Sequence, residues 1–280
     1  MIDPDELGTR RLDLAEALRR LRVDAGLSGN RLAARVAMSQ SKISKIENGR
    51  VIPTVLDVDR ILKALNTPPD LAEQLLGLVR LANTEFHDVR SSLRRGLHKR
   101  QQELAGLEAS AQHIRYFLPV MITGLLHIPE YARSSLGRTT ADQSATIARR
   151  LGRQAILDDL SKTFTFLFTE AAVRWPLCEP VVMATQVEHL IEVAARANVT
   201  VGVIPLTATV AEAPLNTFTI YDDRMVTAET IGGLVVMRDP RDVELHREMF
   251  TFFAEHAVVD DPAVEILHGI AAGFRSRSAL

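Results

Sequence analysis

One cysteine, Cys178, stands in 280 residues. A lone thiol closes no intrachain disulfide and supplies no Cys-rich zinc site; with no His or Asp arranged beside it to activate it, Cys178 reads as a buried or inert thiol. Aromatic residues are only 5% of the chain, too few for the stacking platforms that hold single-stranded nucleic acid. No apolar run approaches the ~18 residues of a membrane span. The N-terminus has no signal-peptide pattern, so the expected compartment is the cytoplasm, with no membrane partner. Walker and GxGxxG loops are missing. His127, His189, His246, His256 and His268 show no HExxH or other metal spacing and read as surface or satisfied histidines. No cofactor and no metal is expected. Internal repeats and low-complexity tracts are also lacking.

What the chain does have is an ordinary globular balance, 46% hydrophobic and 24% charged, and enough length for one large or two medium domains. The net charge of −2 is unevenly spread. Residues 1–66 carry 12 Lys/Arg against 9 Asp/Glu, a balance of +3, which leaves −5 for the remainder. A mildly basic head on an acidic body fits a DNA-binding domain joined to a separate second domain.

The hydrophobic pattern fills in that division. Residues 1–11 read as a polar, frayed start. From Leu12, apolar positions at Leu14, Leu18, Leu21 and Ala25 make one helical stripe, which Gly26 ends. Ser28 and Ser39 stand as N-caps for two more helices, with Leu27/Leu32 and Met38/Ile43 spaced as hydrophobic staples. Asn48-Gly49 terminates the third. A fourth carries Val58, Ile61, Leu62 and Leu65, and a fifth occupies 70–82 beyond Pro68-Pro69. The expected fold class is multidomain: an all-α five-helix domain over 1–83, a helical basic connector over 84–103 with Arg90, Arg94, Arg95, Lys99 and Arg100, and an α+β, or mixed α/β, domain over 104–280. In that last domain helical segments near 104–117, 129–136 and 142–160 precede strand-like runs from Thr163 to Phe168, Val199 to Ile204, Thr217 to Tyr221, Met225 to Ala228 and Leu234 to Met237. Helices are placed near 183–197, 241–256 and 261–274.

Leu27 to Asn48 reads as a helix-turn-helix, its two short helices separated by a tight Ala37-Met38 turn. In the second of them Ile43 and Ile46 point inward, while Gln40, Ser41, Ser44, Lys45 and Asn48 share the opposite face. Those side chains suit the major groove: Gln bonds an adenine edge bidentately, Lys reaches guanine O6 and N7, and Ser is short and tolerant. Lys42, Arg35 and Arg50 are placed to hold phosphates and set register without specifying sequence. A generic bundle with a merely wet face would not bring two caps, two staples, a tight turn and a Glu47-Asn48-Gly49 ending together.

These residues, Leu32-Ala33 and Ser39 through Gly49, resemble the XRE/Cro-repressor family of helix-turn-helix regulators over about residues 12–66. That family commonly has Gln, a phosphate-contacting residue, where this chain has Gly29, with Asn30 as the neighbouring substitute. The resemblance implies a structural ion pair of Arg22 with Glu47, a homodimer, and a roughly palindromic double-stranded operator read by two helices about 34 Å apart.

The second domain is less explicit. Glu170, Arg174, Glu229, His127, Tyr131 and Arg153 are the side chains an enzyme would use, but Glu170 and Glu229 read better as structural ion-pair partners, Glu170 with Arg153 or Arg174. No enzymatic activity is expected. Phe164, Phe166, Phe168, Glu170, Trp175, Phe218 and Glu229 are the residues to examine for a ligand pocket; Trp175 reads as a core plug if it is not a pocket floor. Scattered but ordered segments resemble the WhiJ-like actinobacterial regulators, whose C-terminal domain is of unknown function. They run from Leu107-Glu108-Ala109 through Gly124-Leu125-Leu126, Pro129-Glu130-Tyr131-Ala132, Arg150-Leu151, Arg153-Gln154 and Gln186 to Leu190, and on to Phe218 and Glu229. The resemblance implies a small partner protein encoded nearby. The leading expectation is a dimeric, sequence-specific transcription regulator whose second domain senses a ligand or a partner protein. The alternative is an antitoxin-like protein that binds a small partner and autoregulates its operon.

Overall fold

The computed structural model describes residues 4–88, 97–137, 143–230 and 233–278. By the density of its internal packing the chain divides into two units, Met1–Phe86 with Val235–Asp242, and His87–Leu234 with Val243–Leu280. A helical region is followed by a domain that mixes helices with a sheet, so the chain is multidomain, α then α+β.

The first unit holds α1 (Pro4–Asp24), α2 (Gly29–Arg35), α3 (Gln40–Glu47), α4 (Val55–Ala64) and α5 (Pro69–Asn83). Their apolar stripes meet in one core that includes Leu14, Leu18, Leu32, Ile43, Ile46, Val58, Ile61, Leu62, Leu75 and Val79. Fully burying each Leu, Ile or Val contributes about 1.5–3 kcal/mol, so short helices that would not persist alone are held by packing. Local chemistry fixes their ends. The Ser28 and Ser39 hydroxyls accept the amides of Arg31 and Lys42, and Thr54 forms a reciprocal capping box with Asp57. Gly26 turns into the left-handed region (φ 64°), so that the Leu27 and Gly26 amides reach back to the Arg22 and Val23 carbonyls. Ala37 does the same between α2 and α3 (φ 53°), and Met38 N–H donates to the Ala33 carbonyl at 2.9 Å. A non-glycine residue pays about 1–2 kcal/mol for that conformation, which the fixed turn between the two helices offsets.

The second unit is built on β2 (His113–Leu118), β3 (Thr163–Thr169), β4 (Val199–Ile204), β5 (Phe218–Tyr221) and β6 (Met225–Thr230), in the spatial order β6-β5-β2-β3-β4. β2, β3 and β4 run parallel, β5 is antiparallel to β2, and β6 to β5. The helices are α6 (Leu97–Ser110), α7 (Pro129–Ser135), α8 (Ser144–Gly152), α9 (Glu170–Arg174), α10 (Pro180–Ala194), α11 (Pro240–Glu255) and α12 (Asp260–Ser278). Alternation sorts the sheet's side chains. Ile114, Tyr116, Phe164, Phe166, Phe168, Val201 and Val203 take one face, packed with Met183, Val187 and Leu190 of α10 and Leu267, Ile270 and Phe274 of α12. Phe117 and Phe218, paired in register, take the other, where Phe253 of α11 stacks on Phe117 at 4.4 Å between ring centres. The outer edge of β4 is closed by a two-hydrogen-bond bridge between Val203 and Val258.

Several expectations need correction. α1 begins at Pro4, so the stretch before Leu12 is not a frayed start. The helical reading of the connector fails at Thr84–Asp88, which is a strand, β1, beside β7 (Gly233–Met237). Residues 89–96, with Arg90, Arg94 and Arg95, lie outside the described residues. The helical reading of 104–117 fails too: α6 stops at Ser110 and His113–Leu118 is a strand. The physical reason is common to both. Each segment is short, and its strand partners are remote in sequence, so tertiary pairing overrides the local pattern. Val235–Asp242 returns to the first unit, with Arg238 N–H donating to the Asn83 carbonyl at 3.3 Å.

Candidate nucleic-acid interface

α3 sits on two anchors. Ile43 and Ile46 are each only 1% exposed, and burying both fixes the helix's rotation about its axis. Gln40, Ser41, Lys45 and Asn48 are thereby exposed, and Ser44 is half-exposed beside them. The side chains of Gln40, Ser41 and Lys45 have no hydrogen-bond or ion-pair partner among the described residues. Asn48 uses one amide hydrogen on the Ser44 carbonyl (2.7 Å) and leans on its hydroxyl (3.4 Å), which ties the last turn. Asn30, Arg35 and Arg50 are exposed as well, and neither arginine is engaged by an acid among the described residues.

Lys42 behaves differently from the free phosphate anchor expected of it. Its ammonium lies 2.7 Å from Asp57 Oδ1. Burial works to raise the Asp57 carboxyl, but hydrogen bonds from Lys42 and from Thr54 outweigh it, and the pKa falls below the usual carboxylate range. Lys42 therefore fastens α3 to the start of α4.

The Arg22–Glu47 pair forms. Arg22 Nε donates to Glu47 Oε1 at 2.6 Å and Nη2 to Oε2 at 2.8 Å, while Nη1 donates to the Leu27 carbonyl at 2.7 Å. This fork joins the last turn of α1, the loop before α2 and the end of α3 through one guanidinium. The hydrogen bond to Glu47, opposed by burial, holds the Arg22 pKa above its ordinary value. Beside the pair, α1, the start of α2 and α3 enclose an open concavity of about 260 Å³. Arg19, Arg22, Gly29, Gln40, Ile43, Ser44, Glu47 and Asn48 line it. Sequence reasoning missed Arg19, because only the helix crossing brings α1 to α3.

The pocket residues of the second unit do not converge. Phe164, Phe166 and Phe168 are buried in the core on one face of the sheet, whereas Phe218 packs on the opposite face against Phe117 and His246. The cause is strand alternation between faces, which a list of aromatics does not carry. Trp175, expected in the core or on a pocket floor, is 62% exposed. Glu229 is exposed at the end of β6. Glu170 is buried; it takes Arg174 Nε at 2.6 Å and the Leu206 amide at 2.8 Å.

Arg153 pairs instead with Glu108, which the sequence did not single out as a partner. Arg153 Nε lies 3.0 Å from Glu108 Oε2, Nη2 meets Oε1, and Tyr116 OH donates to Oε1 at 3.0 Å. Glu108 is 1% exposed. The loop from Ile122 to Ile128 is pinned as firmly. His127 Nε2 is 2.9 Å from the Ile122 carbonyl and Nδ1 is 3.2 Å from Arg150 Nη1. Gln186 bonds the Leu126 carbonyl and the Ile128 amide, and Gln154 bonds the His127 carbonyl. Burial pushes the His127 ring down to about 3, so it is neutral and accepts at Nδ1. Tyr131 packs edge-on against that ring at 4.7 Å. Cys178 is half-buried, and burial pushes its thiol up rather than toward a reactive thiolate. Among the described residues no cluster of three His, Cys, Asp or Glu side chains could hold a metal, and no helix is long and apolar enough to cross a membrane.

A helix pair of this geometry, with an uncovered polar face on its second member, defines a helix-turn-helix domain. The family model described as a helix-turn-helix domain matches residues 13–75. A second family model, described as a domain of unknown function, DUF5753, matches residues 101–269, more than half of the chain. The chain belongs to that family: a helix-turn-helix regulator type with a C-terminal domain of unknown function. No curated protein matches. Among solved structures, TrmBL2, an archaeal chromatin protein described as showing a novel mode of DNA binding, is 14% identical. The match covers 71% of this chain and 65% of that one, with a TM-score of 0.32, a likeness too low to bear on function. The helix-turn-helix domain suggests a DNA-binding regulator.

Proposed function

We propose that this protein is a sequence-specific transcription regulator that binds a roughly palindromic double-stranded operator as a homodimer in the cytoplasm, and that it is not an enzyme. The observation that carries the reading is the outer face of α3. Gln40, Ser41 and Lys45 are exposed and unengaged on a helix whose opposite side is locked by Ile43 and Ile46. Unsatisfied donors held rigidly on a protruding helix are what base edges require. Arg35 and Arg50 supply phosphate contacts to either side.

The test is selection of bound duplexes from a random pool with the full chain, followed by titration of the preferred duplex and of a random one. Gln40→Ala or Lys45→Ala costs about 1–3 kcal/mol on the preferred duplex and much less on the random one. Equal losses on both would show that these side chains do not read bases. Affinity falls steeply between 50 and 200 mM salt.

For the second unit, we propose docking of a small protein partner rather than capture of a small molecule. Five exposed apolar side chains support this: Val120 after β2, Trp175 after β3 and α9, Val181 at the start of α10, Leu206 after β4 and Leu215 before β5. The strand directions place all five at the carboxyl edge of the parallel strands, the edge where α/β sheets collect binding sites. This is also the surface an antitoxin-like pairing would need. Trp175→Ala with Leu206→Asp abolishes co-purification of the product of a neighbouring small gene; unchanged co-purification overturns it.

A further inference from the structure

We infer that residues 150–154 form a relay that couples the 122–128 loop, at the carboxyl edge of the sheet, to α6, the first described helix of the second unit. The docking reading above supplies only what presses on the loop; the coupling itself is a property of the second unit alone. Toward the loop, Arg150 Nη1 donates to His127 Nδ1 at 3.2 Å and to Ser135 Oγ at 2.6 Å, and Gln154 Nε2 donates to the His127 carbonyl at 2.6 Å. The side chain of Arg150 lies against Gly124, where a side-chain carbon would come within 3.1 Å of it. Toward α6, Arg153 forks onto Glu108, with Nε 3.0 Å from Oε2 and Nη2 on Oε1.

Both ends are built to respond. The approach to the loop carries Val120, which is exposed, while Leu125 and Leu126 within the loop are fully buried. A push on the outer end therefore reaches the interior. In α6, Glu108 is the one buried side chain between residues 104 and 110; Leu104 and Leu107 are half-buried. The side of the helix is thus held by an ion pair more than by apolar packing, while Lys162 caps its last carbonyls. A buried guanidinium–carboxylate pair has little tolerance for partial separation, because each charge is then left uncompensated in the interior. The joint is engaged or released, the two-state behaviour that a coupling element requires. The backbone changes character at the same point: α8 gives way to a 3-10 turn over Arg153–Asp158, a tightening that often marks hinges. Occupancy at Val120 changes how firmly α6 is held, and linkage makes the effect reciprocal, so that freeing α6 loosens the loop.

The experiment needs no partner. Amide hydrogen exchange is followed in full-length wild type, Gln154→Ala, Glu108→Gln and the double variant, under conditions where each is folded. Phe253→Leu, on the opposite face of the sheet, controls for general loss of stability. Gln154→Ala cuts a bond to the loop alone, yet exchange over residues 104–110 rises at least about fivefold, the low end of a coupling between sites. Glu108→Gln, which keeps the shape of the acid without its charge, raises exchange over residues 122–128 by a similar factor. In the double variant the two factors do not multiply. Should Glu108→Gln fail to fold, the Gln154→Ala arm decides by itself. A Gln154→Ala effect confined to the loop overturns the inference, as does a rise in α6 no larger than the one Phe253→Leu causes. If that result comes while Trp175→Ala with Leu206→Asp still abolishes co-purification, only the relay falls. The reverse pair of results removes the docking reading and leaves the relay standing.

Discussion

The first unit turns its distinctive polar side chains outward and leaves them unsatisfied; the second turns them inward and satisfies them. Gln40 and Lys45 are exposed on α3, while Gln186 and Lys162, the same residue types, are buried. Gln186 ties two backbone groups of the 122–128 loop, and Lys162 donates to the carbonyls of Glu108, Ala109 and Ala111 at the end of α6. The two arrangements differ in energetic sign. A buried polar group stabilises only when every partner is present. An exposed one contributes almost nothing until a ligand arrives. A chemically rich cluster is therefore poor grounds for assigning a function when it is closed, and the bare face is the better guide.

The sharpest contrast comes from charge removal. Glu108→Ala removes the acid paired with the buried Arg153 in the second unit and costs about 3–5 kcal/mol of stability, measured by denaturant unfolding; a loss under 1 kcal/mol would mean the pair is wetter than its geometry indicates. Next is Arg22→Ala. It leaves a partly exposed acid and costs about 2 kcal/mol, between a surface pair and a buried one.

A pH titration separates the units further. The unfolded chain protonates His127 near 6.5, but the native ring stays neutral down to about 3. Between those values the unfolded state binds more protons, so stability falls as pH drops through the window. His127's share is about 2 kcal/mol at pH 5. His127→Gln flattens that slope; an unaltered slope would assign the acid sensitivity elsewhere. The smallest effect is expected of Gln40→Ala, which moves stability by less than about 0.5 kcal/mol although it impairs DNA binding. A large drop in melting temperature would mean that Gln40 is structural.

Local features were the ones legible beforehand. The caps at Ser28 and Ser39, the turn at Ala37 and the inward isoleucines each depend on neighbours within four residues, and periodicity reports such spacing directly. The strands at Thr84–Asp88 and His113–Leu118 are not legible in the local pattern because their pairing partners are remote. Glu108 and Arg153 stand 45 positions apart with no pattern to link them. Lys42 looked like a free cation because nothing nearby in sequence announces Asp57. In the sequence the scattered segments Gly124-Leu125-Leu126, Arg150, Arg153-Gln154 and Gln186 carry only a resemblance. Arg150, Gln154 and Gln186 clamp the 122–128 loop, where a side-chain carbon on Gly124 would press on Arg150 at 3.1 Å, while Arg153 belongs to the Glu108 pair.

The Val203–Val258 bridge lies on the outer border of β4. An open border strand offers bare amides and carbonyls on which copies of a protein stack into insoluble ribbons. One valine on the approach to the final helix takes the outward amide and carbonyl of Val203 with two hydrogen bonds, so that point of the border is closed to a second copy.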